Sequence, residues 1–196
     1  MKNNELTLKI IILGSTKVGK TCLINQYFNK EFNDNPISTI GIDLQSKYFK
    51  FDNDIVKINF IDTAGQERFD SISSNYLKNV DGVLLVYDIT NYDTFKKIDY
   101  WNNQIKNYNK NKYSIVLIGN KIDLNNKRVV NFNDGINLSK RINCKFFETS
   151  ARNNINVDEV FETISLLTYK FCKENKLLFN QSFSLNNQKE KKKSCC

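Results

Sequence analysis

Short apolar runs alternate along the chain with longer stretches in which apolar residues recur every three or four positions. The runs at 6–13, 43–51, 55–61, 82–88, 114–119 and 145–148 have the length and β-branched content of strands. Asp52-Asn53-Asp54 leaves room only for a tight turn between the second and third, which predicts a hairpin. Helices are expected over 19–29, about 67–78, 93–108, 132–142 and 156–175. In the last, Val157, Val160, Phe161, Ile164, Leu167 and Phe171 line one stripe for a core to cover. Such alternation builds an α/β fold: a six-stranded, mostly parallel sheet with one antiparallel strand and helices on both faces. A ligand then belongs at the carboxyl ends of the strands. One domain is expected over 1–175, followed by a polar, patternless stretch, 176–196, expected to be a flexible tail.

Charge sharpens this division. The net charge is +8, and from Lys176 onward five lysines stand against one glutamate, so the tail carries half of it. Nucleic-acid binders usually carry their basic patch on the folded body, so nucleic acid is not the expected partner. There is no histidine, and the five cysteines (Cys22, Cys144, Cys172, Cys195 and Cys196) lack metal-ligand spacing, so no zinc is expected. The first three are expected to be core or half-buried thiols, and Trp101 a helix-packing residue. No secretory signal is expected, and no apolar run approaches the length of a bilayer span.

The chemistry lies in four segments. GSTKVGKT, Gly14 to Thr21, fits G-x-x-x-x-G-K-[ST] between a strand and a helix. This P-loop pattern cradles phosphates on the backbone of Gly14, Ser15, Thr16, Lys17, Val18 and Gly19. Lys20 reaches the β- and γ-phosphates, and the Thr21 hydroxyl suits Mg²⁺. DTAGQERF follows a strand: Asp62 stands where a Mg²⁺ carboxylate belongs, the Gly65 backbone can approach the γ-phosphate, and Gln66 can orient water. In NKID, Asn120 to Asp123, the carboxylate of Asp123 can accept from guanine N1–H and the exocyclic amine, whereas adenine would leave it unpaired. ETSAR, Glu148 to Arg152, offers the Ala151 amide to guanine O6.

Four segments in this order resemble the small Ras-like GTPases over about residues 6 to 172, and IGIDL, DTAGQERF and LLVYDIT resemble Rab signature segments. GKTC and FFETSARNNINV look most like the exocytic, Golgi-to-surface branch. The resemblance implies a P-loop NTPase fold, GTP and GDP as bound nucleotides, Mg²⁺ as cofactor, and slow hydrolysis stimulated by a GTPase-activating protein. It extends the nucleotide contacts to Cys22, Lys121, Ser150 and Arg152, lays Phe32 against the guanine, and makes Thr39 the threonine that ligates Mg²⁺ and senses the γ-phosphate. Ile40, Gly41, Ile42, Asp43, Leu44, Ile61 and Tyr76 would face effectors. Exchange factors, GDP-dissociation inhibitors and an escort protein with its prenyltransferase are the further partners implied. Both Cys195 and Cys196 would carry prenyl groups that hold the protein to a cytoplasmic membrane face, with a cytosolic pool. Lys17, Pro36, Leu44 and Ile61 depart from the usual Rab residues at their positions. Lys17 is open to two readings: a solvated side chain, or an ammonium that reaches the phosphates or crowds an incoming arginine. A GTP-holding scaffold without hydrolysis and a nucleic-acid binder using KEKKK are the rival classes.

Overall fold

The structure, a computed structural model, describes residues 6–33, 42–63, 76–109 and 112–193. In chain order its elements are β1 (Leu6–Leu13), α1 (Lys20–Asn29), β2 (Ile42–Phe51), β3 (Asp54–Thr63), β4 (Gly82–Asp88), α2 (Tyr92–Lys96), α3 (Ile98–Tyr108), β5 (Ser114–Asn120), a 3-10 helix (Ile122–Lys127), α4 (Phe132–Ile142), β6 (Lys145–Thr149) and α5 (Val157–Lys193). The strands form one six-stranded sheet in the order β2-β3-β1-β4-β5-β6. β2 and β3 pair antiparallel through the expected hairpin, with Phe51 opposite Asp54 across a two-residue turn. Every other pair is parallel.

Successive side chains of a strand point to opposite faces, so a run of apolar residues supplies two cores at once. In β1, Ile10 and Ile12 pack with Leu23 and Tyr27 of α1 and with Phe161 and Ile164 of α5. Ile11 and Leu13 pack on the other face with Ile98, Trp101 and Ile105 of α3 and Leu138 of α4. Each fully buried Ile or Leu contributes about 1.5–3 kcal/mol relative to its exposed state. Trp101 is thus a packing residue as expected, and Cys22, Cys144 and Cys172 are half-buried cysteines outside any disulfide.

Three helices differ from expectation. The stretch 93–108 is two helices, α2 and α3, with Lys97 between them. The Asn91 side chain accepts from the Asp93 amide at 3.1 Å and caps the first. The segment Ile122–Lys127, apolar at only two positions, has too little periodicity to be foreseen as a helix. The backbone of α5 continues as helix through Lys193, where a patternless tail is expected. No glycine or proline stands between Val157 and Lys193 to end it. The helix expected near 67–78 lies mostly outside the described residues.

Candidate nucleotide site

The phosphate loop leaves β1 and turns into α1 at the carboxyl end of the sheet, where β4, β5 and β6 also end. Two glycines let it fit there. A Cβ on Gly14 would stand 2.2 Å from the carbonyl oxygen of Val86, and one on Gly19 would stand 2.4 Å from Nδ2 of Asn120. Between them Lys17, at the exposed tip, holds a left-handed backbone with φ 65°. Such a conformation costs a residue with a side chain about 1 kcal/mol or more. Lys20 is buried, and its Nζ donates to the carbonyls of Gly14 (2.8 Å) and Ser15 (3.0 Å), so its charge sits inside the loop's own curve. Ser15 Oγ is buried with no partner among the described residues.

Thr21, in the first turn of α1, donates through Oγ1 to Oδ2 of Asp62 at 2.6 Å. Asp62 is 1% exposed near the end of β3, and its Oδ1 has no partner among the described residues. Burial pushes its carboxyl above the ordinary value, against the Thr21 hydrogen bond and the charge of Lys20. A desolvated carboxylate with an unanswered oxygen beside a hydroxyl is a hard-oxygen donor set, and it fits Mg²⁺.

Asn120 joins the phosphate loop to the ETSAR segment. It is 1% exposed at the end of β5, its Nδ2 donates to the Val18 carbonyl (2.9 Å), and its Oδ1 accepts from Thr149 Oγ1 (3.0 Å). The chain then passes through Lys121, left-handed with φ 74°, into the 3-10 helix that carries Asp123. The Ser150 hydroxyl donates to Asp123 Oδ1 at 2.6 Å, which fixes the carboxylate's direction. Ala151 is buried, and the loop behind it is closed by the reciprocal Ser150–Ile155 backbone pair. Arg128 grips Glu148 with two hydrogen bonds (2.5 and 2.8 Å), tying the end of the 3-10 helix to β6. Sequence reasoning assigned no role to Thr149 or Arg128. A polar residue at a strand end, such as Thr149, or at a helix cap, such as Arg128, has no periodic signature that would mark it.

The structure thus brings Gly14 to Cys22, Asp62, Asn120 to Asp123 and Ser150 to Arg152 to one edge of the sheet. Phe32 lies just past α1 and is 37% exposed. Leu44 and Tyr76 are 55% and 43% exposed, and Asp43 is exposed beside Leu44. Ile61, implied to face effectors, is instead 4% exposed. It shares a sheet face with Leu44, its partner in the hairpin register, yet is covered there by the core of Ile11 and Leu77. Thr39, Ile40, Gly41, Gly65, Gln66, Pro36, Cys195 and Cys196 lie outside the described residues, and for Ile42 the backbone alone is described.

A phosphate loop at the carboxyl edge of a parallel sheet, with a buried lysine inside it and Asn120 and Asp123 alongside, defines a P-loop nucleotide-binding protein. The sequence pattern of the Ras family matches residues 9–170. The chain is 39% identical to Ras-related protein Rab-3 of Caenorhabditis elegans over 163 residues, 83% of this chain and 74% of that one. It is 38% identical to Ras-related protein Rab-10 of Diplobatis ommata over 164 residues, covering 84% and 82%. Against Ras-related protein Rab-3C of Bos taurus it is 37% identical, covering 83% and 72%. The chain belongs to the Ras family as a Rab small GTPase, which binds GTP and GDP, hydrolyses GTP and regulates vesicle trafficking.

Proposed function

We propose that the protein runs its GTP–GDP cycle through the residues gathered at this edge, at the cytoplasmic face of a membrane of the exocytic branch. The observation that carries the proposal is Asn120, which holds the phosphate loop with its amide nitrogen and the ETSAR segment with its amide oxygen. The backbone of Gly14–Gly19 and the ammonium of Lys20 hold the β- and γ-phosphates. Asp123 accepts from guanine, and the Ala151 amide donates to O6. Thr21 and Asp62, with Thr39, hold Mg²⁺, which when bound neutralises charge developing on the phosphate oxygens.

Hydrolysis on such a site needs positioning and charge stabilisation rather than a covalent nucleophile. Gln66 orients the attacking water. Thr39 and Gly65 report the γ-phosphate to the segments around them, and its loss releases those segments to change partner. A GTPase-activating protein supplies the missing cation, an exchange factor opens the site, and effectors read Asp43, Leu44 and Tyr76. The lysines of the 176–193 stretch favour an anionic leaflet. Cys195 and Cys196, prenylated with the help of an escort protein, give the two lipid signals that stable anchoring takes, and a GDP-dissociation inhibitor shields them in the cytosol. No described helix is long and apolar enough to cross a membrane.

Competition between GTP and ATP for the purified protein tests the base-reading half. Exclusive retention of guanine nucleotides is expected, and comparable ATP binding overturns it. For the anchor, Cys195→Ser with Cys196→Ser is expected to bind GTP and lose all membrane fractionation; persistence on membranes overturns that assignment.

A further inference from the structure

We propose that Asp88 is a positioning residue for guanine recognition, acting through Lys121; the inference rests on the reading of Asn120–Asp123 as the base reader. Asp88 ends β4 and stands directly across from Asn120 in the β4–β5 register. Its Oδ2 meets the Lys121 ammonium at 2.6 Å, with side chains 8% and 29% exposed. The carboxylate is fixed before that contact is made. Oδ1 accepts from both the backbone N–H (2.8 Å) and the hydroxyl (2.7 Å) of Thr90, and the Asp88 amide donates to Thr94 Oγ1 at 3.0 Å. A preset, nearly buried anion therefore holds a cation whose stem is mostly out of water, where screening by salt is weak.

Lys121 is the one left-handed residue between the Asn120 strut and the Asp123 carboxylate. A side-chain residue keeps that conformation when its surroundings over-determine it, and the Asp88 pair is the charged contact that does so. Without it the ammonium has water as an alternative, the turn relaxes, and Asp123 with its Ser150 partner loses its aim. Ile89, next in line, reinforces the same joint: its N–H donates to the Asn120 carbonyl at 3.1 Å, and its carbonyl accepts from Val129 and Val130. The VYDIT segment is thus the buttress of the base-reading loop.

The test is a double-mutant cycle on the release of a fluorescent GDP from the full chain. Asp88→Asn keeps the shape and an acceptor for Thr90 while removing the charge. It is expected to accelerate release by ~10-fold, equivalent to about 1.4 kcal/mol of lost coupling. In a Lys121→Met background the same change is expected to alter release by less than about 2-fold, because the pair is already gone. Asp88→Glu, with the same charge on a longer arm, is expected to return the rate toward wild type and serves if Asp88→Asn does not fold. Equal acceleration in both backgrounds, or an unchanged rate in the wild-type background, overturns the proposal and leaves Asp88 a strand-end cap. A wild-type chain that fails to retain GDP at all would instead break the guanine reading beneath it.

Discussion

Two aspartates at opposite ends of β3 behave in opposite ways. Asp62, near the carboxyl end, is buried, and its desolvation pushes the carboxyl up. Asp54, at the hairpin, lies in water, and hydrogen bonds from the Tyr169 hydroxyl and then Lys173 hold its carboxyl below the ordinary range. The same contrast runs across the sheet. At the carboxyl edge, buried polar groups reach from one segment to another and leave some atoms unanswered. At the other end, Asp52, Asp54 and Lys173 form ion pairs with side chains 46% to 76% exposed. Burying polar groups costs stability unless each is matched, and at this edge a bound ligand can supply the match for Ser15 Oγ and Asp62 Oδ1. Exposed pairs fasten a hairpin to a helix at small cost and small gain.

The sharpest break in this contrast is at Asp123, the proposed base reader. Asp123→Asn replaces an acceptor by a donor facing guanine. GTP affinity is expected to fall by about 10³-fold or more, with xanthine nucleotides gaining, as measured by equilibrium titration of both. Unaltered GTP affinity would remove Asp123 from the site. Next comes Asn120→Ala, which leaves the Val18 carbonyl and Thr149 hydroxyl buried without their partner. It is expected to cost about 2–4 kcal/mol in urea unfolding even without nucleotide. Lys17→Gly relieves a strained backbone with no loss of packing and is expected to add about 0.5–1 kcal/mol, read by the same unfolding curve. If GTPase-activating-protein-stimulated turnover rises as well, the ammonium obstructs the phosphates' surroundings; if only stability changes, the side chain is a solvated one.

The smallest effect is expected at the other end of β3. Asp54→Asn should lower the unfolding midpoint far less than Asn120→Ala does, and high salt should shrink the difference. Its pH dependence is fixed in sign. A depressed folded pKa stabilises fully above the ordinary value of 3.8 and loses that contribution as pH falls through the lower folded value. Wild type and variant should therefore converge in acid, and a gap that widens there would show that the pair is not what Asp54 contributes.

Strands were legible to within one or two residues because most apolar runs here end at a glycine, aspartate or asparagine that lies at or beside the strand boundary. Gly82 opens β4 and Asp88 closes it, as the run GVLLVYD suggests. Helix ends were harder. One continuous periodicity over 93–108 hides the break at Lys97, which polar-face residues do not mark, and the end of α5 has no stop signal to find. The motif segments announced the phosphate loop, Asp62, Asn120 and Asp123. Asp88 sat in plain view within LLVYDIT without revealing its partner, because Lys121 meets it through sheet register and not through spacing. Ile61 differs for the converse reason: its place in a pattern carries no sign of what covers its face, and Ile11 and Leu77 pack over it while Leu44, its partner on the same face, stays exposed.

The Asn120 strut has a kinetic consequence. Because one amide group pins both the phosphate loop and the ETSAR segment, the proposed phosphate grip and base grip would not decay independently. Disturbing either slackens the other. On the proposed reading an exchange catalyst need not touch the base to evict the nucleotide; leverage applied at Val18, a single carbonyl away, would be transmitted to the far side.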